Sequence, residues 1–134
     1  MKIFREVAAM PQMAFFGRVL LTLPFWSSGL VKAHDFGGAT AEMAHFGLSP
    51  AALFAAATIV VQIGGSAAVI LDRYTWLGAG ALSVFTVLAN AVAHRFWEID
   101  DPVARFHDMA QFITNVAMIG GFILAAALAE RPRV

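Results

Sequence analysis

The sequence predicts an all-α membrane protein: a four-transmembrane-helix bundle with a polar interior stripe and a short interfacial helix after the first span. Three observations carry this. The 134 residues are 60% hydrophobic and only 13% charged, against about 25% charged in an ordinary soluble domain. Four apolar stretches remain once the charged positions are marked, Phe15–Val31, Ala51–Leu71, Trp76–Ala93 and Phe112–Ala129. Each is ~17–21 residues, the length that crosses a ~30 Å hydrocarbon core. Within each stretch the polar residues recur on one helical face. The corresponding spans, about 14–32, 51–71, 75–95 and 108–129, fill most of the chain, which reads as a single domain over 1–134.

Met1–Met13 reads as an amphipathic lead-in, with Ile3, Phe4, Val7 and Met10 opposite Lys2, Arg5 and Glu6 and with Pro11 interrupting it. Val31-Lys32-Ala33 mimics a signal cleavage site, but the long apolar stretch, Pro24 and Arg18 argue against a cleaved leader. In the first span Arg18, Thr22, Phe25, Gly29 and Lys32 fall within ~40° of one line. Asp35–Gly47 then reads as a short helix lying on the membrane through Phe36, Ala39, Met43 and Phe46. Ser49-Pro50 supplies an N-cap and a first-turn proline for the second span.

The second span carries Thr58, Gln62 and Ser66 one turn apart, beside small residues that permit close helix contact. Asp72–Thr75 is a tight turn, which makes spans two and three antiparallel neighbours. The third span aligns Ser83, Thr86, Asn90 and His94; the fourth aligns His107, Gln111, Asn115 and Met118, then ends in a polar tail, Glu130–Val134. Glu98–Pro102 between them is a solvated turn. Tyr74, Trp76, Phe96 and Trp97 read as interfacial belt residues.

The side holding the termini and the short turn carries Lys2, Arg5, Arg73, Arg131 and Arg133, with Arg18 just inside; the other carries only Lys32, Arg95 and Arg105. The positive-inside bias therefore places the termini in the cytoplasm and both longer loops, with all four histidines, near the outer face. A formal net charge of zero gives nucleic acid no electrostatic foothold, and the absence of cysteine excludes thiolate chemistry within the chain. The histidines lack a tight ligand spacing, so no metal site is expected.

Six polar residues are candidates for ligand binding or proton relay: Lys32, Gln62, Asn90, His94, Gln111 and Asn115. Ionisable and amide groups at membrane depth are costly to bury, and they either tie helices together or serve a ligand. Arg18 and Lys32, near the ends of their span, have anchoring in the headgroups as the simplest role. His107 lies closer to water and reads as interfacial.

At these residues the chain resembles the DoxX family of small four-span bacterial inner-membrane proteins. The likeness rests on Gly17-Arg18-Val19-Leu20, Ser28-Gly29-Leu30-Val31-Lys32 and Gln62-Ile63-Gly64-Gly65, then on His94-Arg95-Phe96-Trp97, Gln111–Asn115 and Ile119-Gly120-Gly121. The resemblance implies an integral inner-membrane protein. Some relatives belong to membrane oxidoreductase systems, including quinone-coupled thiosulfate oxidation. Three positions depart from the family pattern: Gln62 replaces a common glutamate, Gln111 a histidine and Thr114 a basic residue.

Two functions remain open on these residues. One is a component of a membrane oxidoreductase, working with a partner subunit and binding a quinone near the outer face. The other is a non-enzymatic binder, carrier or assembly partner for a hydrophobic small molecule or membrane protein. The lipid bilayer is the expected surrounding of either, alone or as a homo-oligomer. A third reading, a structural bundle, assigns the polar stripe to interhelical bonding alone.

Overall fold

The computed structural model describes residues 1–129, so the expected polar tail Glu130–Val134, with Arg131 and Arg133, lies outside the described residues. All regular structure among those residues is helical: α1 (Lys2–Ala8), α2 (Pro11–His34), α3 (Phe36–His45), α4 (Ala51–Ile70), α5 (Thr75–Ala93) and α6 (Pro102–Leu128), with a 3₁₀ turn at Phe96–Glu98. α2, α4, α5 and α6 are each long and apolar enough to cross a membrane. They alternate in direction. The start of α2, the α4–α5 turn and the end of α6 share one side, the turn face. The two longer connections share the other, the loop face.

Each boundary has a local cause. Pro11 stands at the start of α2, where a missing N–H costs nothing. α2 then runs unbroken through Pro24. Asp35 starts α3 by accepting a 2.9 Å bond from the Gly38 N–H. Asp101 does the same for α6 with Ala104 N–H at 2.8 Å, and Pro102 follows it. This pair moves the start of the fourth helix from the expected 108 back to 102, because the two polar first turns are helical although they lie beyond the apolar stretch. Ser49 does not cap α4. Pro50 occupies the cap position, after a cis Ser49–Pro50 peptide, and Ser49 is one residue too early.

α3 follows the first span as expected and also packs on the bundle. Ala39 and Met43 on its apolar face are buried against Ala55, with Leu48 and Ala51 around them, while Phe36 on the same face stays exposed. The helix is a lid folded over the loop-face end of α4.

α4 and α5 approach closely near their turn. A Cβ on Gly78 would sit 2.6 Å from the Gly65 carbonyl oxygen and 2.8 Å from the Ala68 Cβ. The turn itself places Asp72 and Tyr74 at positive φ. Arg18 does not reach for headgroups. It pairs with Asp72 at 3.2 Å, and Thr75 donates to the other Asp72 oxygen at 2.7 Å. A charge near a membrane-embedded helix end needs a partner, and here the partner is the neighbouring turn.

The interior is layered rather than striped throughout. Phe25, Val69, Ala79, Leu82 and Phe122 form the buried apolar core, with Phe25 edge-on to Phe122 and Phe85 at 5.4 and 6.2 Å between ring centroids. Edge-to-face contacts of this kind add to the packing, which drives association where no water remains to be expelled. This layer belongs to the middle of the bundle. The Arg18–Asp72–Thr75 group lies on its turn side and the candidate site on its loop side.

Candidate functional site

On the loop-face side of the aromatic layer the helices separate around a cavity of about 570 Å³. That volume falls in the range of small-molecule pockets. Five of the six residues singled out from the sequence line it: Lys32 from α2, Gln62 from α4, His94 at the end of α5, and Gln111 and Asn115 from α6. Phe25 and Phe85 are its floor, and Glu42, Met43 and Phe46 in and after α3 cover it from the loop face.

Asn90, the sixth, is buried behind the wall. Its Nδ2 donates to the Phe112 carbonyl at 3.2 Å and its Oδ1 accepts from Asn115 Nδ2 at 2.7 Å. Asn115 Oδ1 in turn accepts from Gln111 Nε2 at 2.9 Å. Three amides thus form one directed chain from the α5–α6 contact out to the cavity. Asn90 holds the two that line it.

His94 has a partner that the sequence reading missed. Its Nδ1 lies 2.8 Å from Asp108 Oδ1, which ties the end of α5 to the second turn of α6. A carboxylate on one ring nitrogen fixes the tautomer and leaves the other nitrogen free for a ligand. A fourth stripe phased on His107 conceals Asp108. Residues 107, 111 and 115 share a spacing of four, but each such step rotates ~40° around the helix. The inward line is Asp108, Gln111, Asn115, Met118 and Phe122, with steps of three and four. His107 is exposed and packs edge-on to Phe106.

Lys32 is held in place as well. Its Nζ donates to Ser28 Oγ at 3.1 Å and pairs with Glu42 Oε2 on α3 at 3.0 Å. An ammonium has three donors, so one remains for the cavity. Like Arg18, Lys32 has a protein partner in place of the expected headgroup.

Gln62 is the opposite case. It is only 5% exposed, yet its Oε1 has no hydrogen-bond partner among the described residues. It sits about 16 Å from the loop-face end of α4 at 1.5 Å per residue. An unpaired amide at that depth costs about 1–3 kcal/mol, a cost that a ligand bonded to it would remove.

Three of the buried hydroxyls behave differently from both. Thr22, Ser66 and Thr86 bond to the carbonyls of Arg18, Gln62 and Leu82, one turn back on their own helices. They are satisfied without crossing to a neighbour. The elements are joined instead by Arg18–Asp72, Lys32–Glu42, His94–Asp108 and Asn90–Asn115. The stripe is therefore not uniform interhelical bonding, and the Gln62 Oε1, like Arg18 Nε and Asp108 Oδ2, is buried without a partner among the described residues.

Among the described residues no three histidines, aspartates or glutamates group closely enough to hold a metal ion. The wall offers amides, hydroxyl-bearing residues, one imidazole and the Lys32–Glu42 ion pair among apolar side chains. That set suits an uncharged or weakly polar ring carrying hydrogen-bonding oxygens.

The family model described as DoxX matches residues 13–95, which span α2 to α5 and include Lys32, Gln62, Asn90 and His94. Inner membrane protein YphA of Escherichia coli (strain K12) is 27% identical over 120 residues, 89% of this chain and 84% of that protein. No solved structure matches the chain.

Proposed function

The chain belongs to the DoxX family, and from that premise we propose that it is a single-domain, multi-pass inner-membrane protein that binds a quinone-type ring in the loop-face cavity, as a component of a membrane oxidoreductase system. The inner-membrane assignment draws on the printed name of the YphA relative. The single observation that carries the ligand reading is Gln62: its buried Oε1, unpaired among the described residues, belongs to a side chain that lines the cavity at mid-helix depth. Quinone carbonyls accept hydrogen bonds from the Gln62 amide N–H and the third Lys32 N–H, the hydroxyl of the reduced ring can donate to the unpaired Gln62 Oε1, and His94 donates through its second nitrogen when its ring is protonated. His94, backed by Asp108, is also the residue suited to pass a proton when the ring is reduced. Reduction would need a bound cofactor or a partner subunit, since the chain has no cysteine to serve as a redox couple.

The test is a titration in nanodiscs with a short-chain benzoquinone. Wild type is expected to bind it, and Gln62→Leu and Lys32→Met each to weaken binding tenfold or more, about 1.4 kcal/mol. Equal binding by all three proteins, or none by wild type, would overturn the reading. The second function, a carrier or assembly partner without turnover, is favoured by the neutral amides Gln62, Gln111 and Asn115 in the wall. It predicts the same binding with no quinone-linked electron transfer in native membranes.

The Lys/Arg bias supports a cytoplasmic turn face and an outward loop face. The chain has no cysteine, so single replacements report position directly. Asp100→Cys is expected to react with a membrane-impermeant maleimide in intact spheroplasts, and Arg73→Cys only after lysis. The reverse pattern would invert the topology.

A further inference from the structure

The cavity has a side that protein does not close. Phe54 and Ala57 of α4 and Leu88 and Val92 of α5 line it, and the same residues are exposed on the outer surface, Leu88 by 59%. The two helices touch at Gly65 and Gly78 near their turn. Toward the loop face they border the cavity instead of each other. The result is a wedge between α4 and α5, narrow at the turn and open above it. Ala57 lies about 9 Å from the start of α4 at 1.5 Å per residue, so the wedge opens within the hydrocarbon of the loop-face leaflet.

Two other ways in are covered. α3 folds over the loop-face mouth with Met43 buried and Glu42 paired to Lys32. The Phe25–Phe85–Phe122 layer closes the turn-face side. The four rim residues are all apolar, while the polar groups stand deeper, at Gln62 and Lys32. A site with a polar end inside and an apolar end open to lipid matches an amphiphile: a hydrogen-bonding head joined to an aliphatic chain.

We propose that the α4–α5 wedge is a lateral portal, through which a membrane-dissolved amphiphile inserts its polar ring and in which its aliphatic chain rests. This rests on the ring-binding reading of the cavity and adds the route and the tail subsite. It makes affinity depend on chain length in a way the polar wall alone does not.

Two probes separate the claims: a tailless benzoquinone and one with a long isoprenoid chain, each titrated into nanodiscs. Ala57→Trp and Leu88→Trp fill the wedge from either wall, and because both positions are exposed, neither substitution burdens the core. Ala117→Trp, exposed on α6 outside the cavity, is the control. Wild type is expected to bind the long-chain probe at least tenfold more tightly in its site. Either wedge variant should lose tenfold for the long-chain probe and less than threefold for the tailless one, with the control unchanged. A photoreactive group on the chain should label α4 and α5 rather than α6. The portal is overturned if the wedge variants affect both probes alike, or neither, or if labelling falls on α6. If wild type binds neither probe, the ring site itself has failed, a result distinct from a working site with another entrance.

Discussion

Gly78→Ala is expected to lower stability by about 1–3 kcal/mol, whereas Gly80→Ala, two residues along the same helix, should be neutral or slightly stabilising. The added methyl at 78 meets the Gly65 carbonyl oxygen at 2.6 Å and the Ala68 Cβ at 2.8 Å. Neither is the yielding tip of a long side chain. Both belong to the framework of α4, so the two helices must move apart, which is the costly form of overpacking. At Gly80 the same methyl has nothing within 4 Å, and alanine favours the helix. Unfolding both variants in mixed micelles gives the comparison with chemistry and helix held constant. Similar midpoints would mean that the α4–α5 contact does not hold the bundle. The effect should extend beyond stability, because this contact is the narrow end of the proposed portal. Spreading α4 from α5 there should weaken discrimination between long-chain and tailless probes before it weakens binding of the ring.

That contact shows which parts of the fold could be read from residues in order. The four spans follow from the length of the apolar runs, and the antiparallel α4–α5 pair from the four-residue turn at Asp72–Thr75. Five of the six residues singled out in the sequence also line one cavity. Amides and charges inside apolar runs have few places to go. What could not be read is how neighbours divide the work. Phe122 is fully buried and Ile123 beside it is 62% exposed, yet both are apolar residues in an apolar run, and lipid and core look alike to such a pattern. The aromatic layer under the cavity therefore has no signature in the sequence. Phe25 was even counted among the polar-stripe positions, because it shares their phase.

The same limit explains the partners that were missed. Asp108 and Glu42 were legible as acidic residues of the loop-face side, but their roles depend on residues 14 and 10 positions away, His94 and Lys32. No helical periodicity links positions across a loop. α3 was legible as amphipathic, and amphipathicity alone does not say whether its apolar face meets lipid or α4. Packing supplies part of the answer: Ala39 and Met43 fit against Ala55, so the surface helix also roofs the site.

Asn90→Leu should produce the second large effect, and it should do so without touching a ligand. Leucine has nearly the shape of asparagine and neither of its hydrogen bonds. The Asn115 Nδ2–H that pointed at Asn90 Oδ1 at 2.7 Å would be left facing an apolar side chain, in a setting where no water replaces the bond. An unsatisfied buried group costs about 1–3 kcal/mol, while interhelical bonds in membranes average nearer 0.6. A loss of about 1–2 kcal/mol is therefore expected. Asn115→Leu should cost a similar amount, since it strands Asn90 Oδ1 and releases Gln111. The double replacement removes donor and acceptor together, so it should cost less than the two single changes added, by about 0.5–2 kcal/mol. Additive losses would show that the two amides act independently. Binding supplies the second readout. Asn115 and Gln111 line the cavity and Asn90 does not, so Asn90→Leu can reach a ligand only by letting those two amides wander. Its effect on affinity should be several-fold, smaller than that of Lys32→Met or Gln62→Leu, and the double variant should not restore it, because matched apolar shape returns stability but not the placement of Gln111. A variant pair that recovers stability while affinity stays low would separate holding the bundle together from building the site, two tasks that Asn90 performs with the same pair of hydrogen bonds.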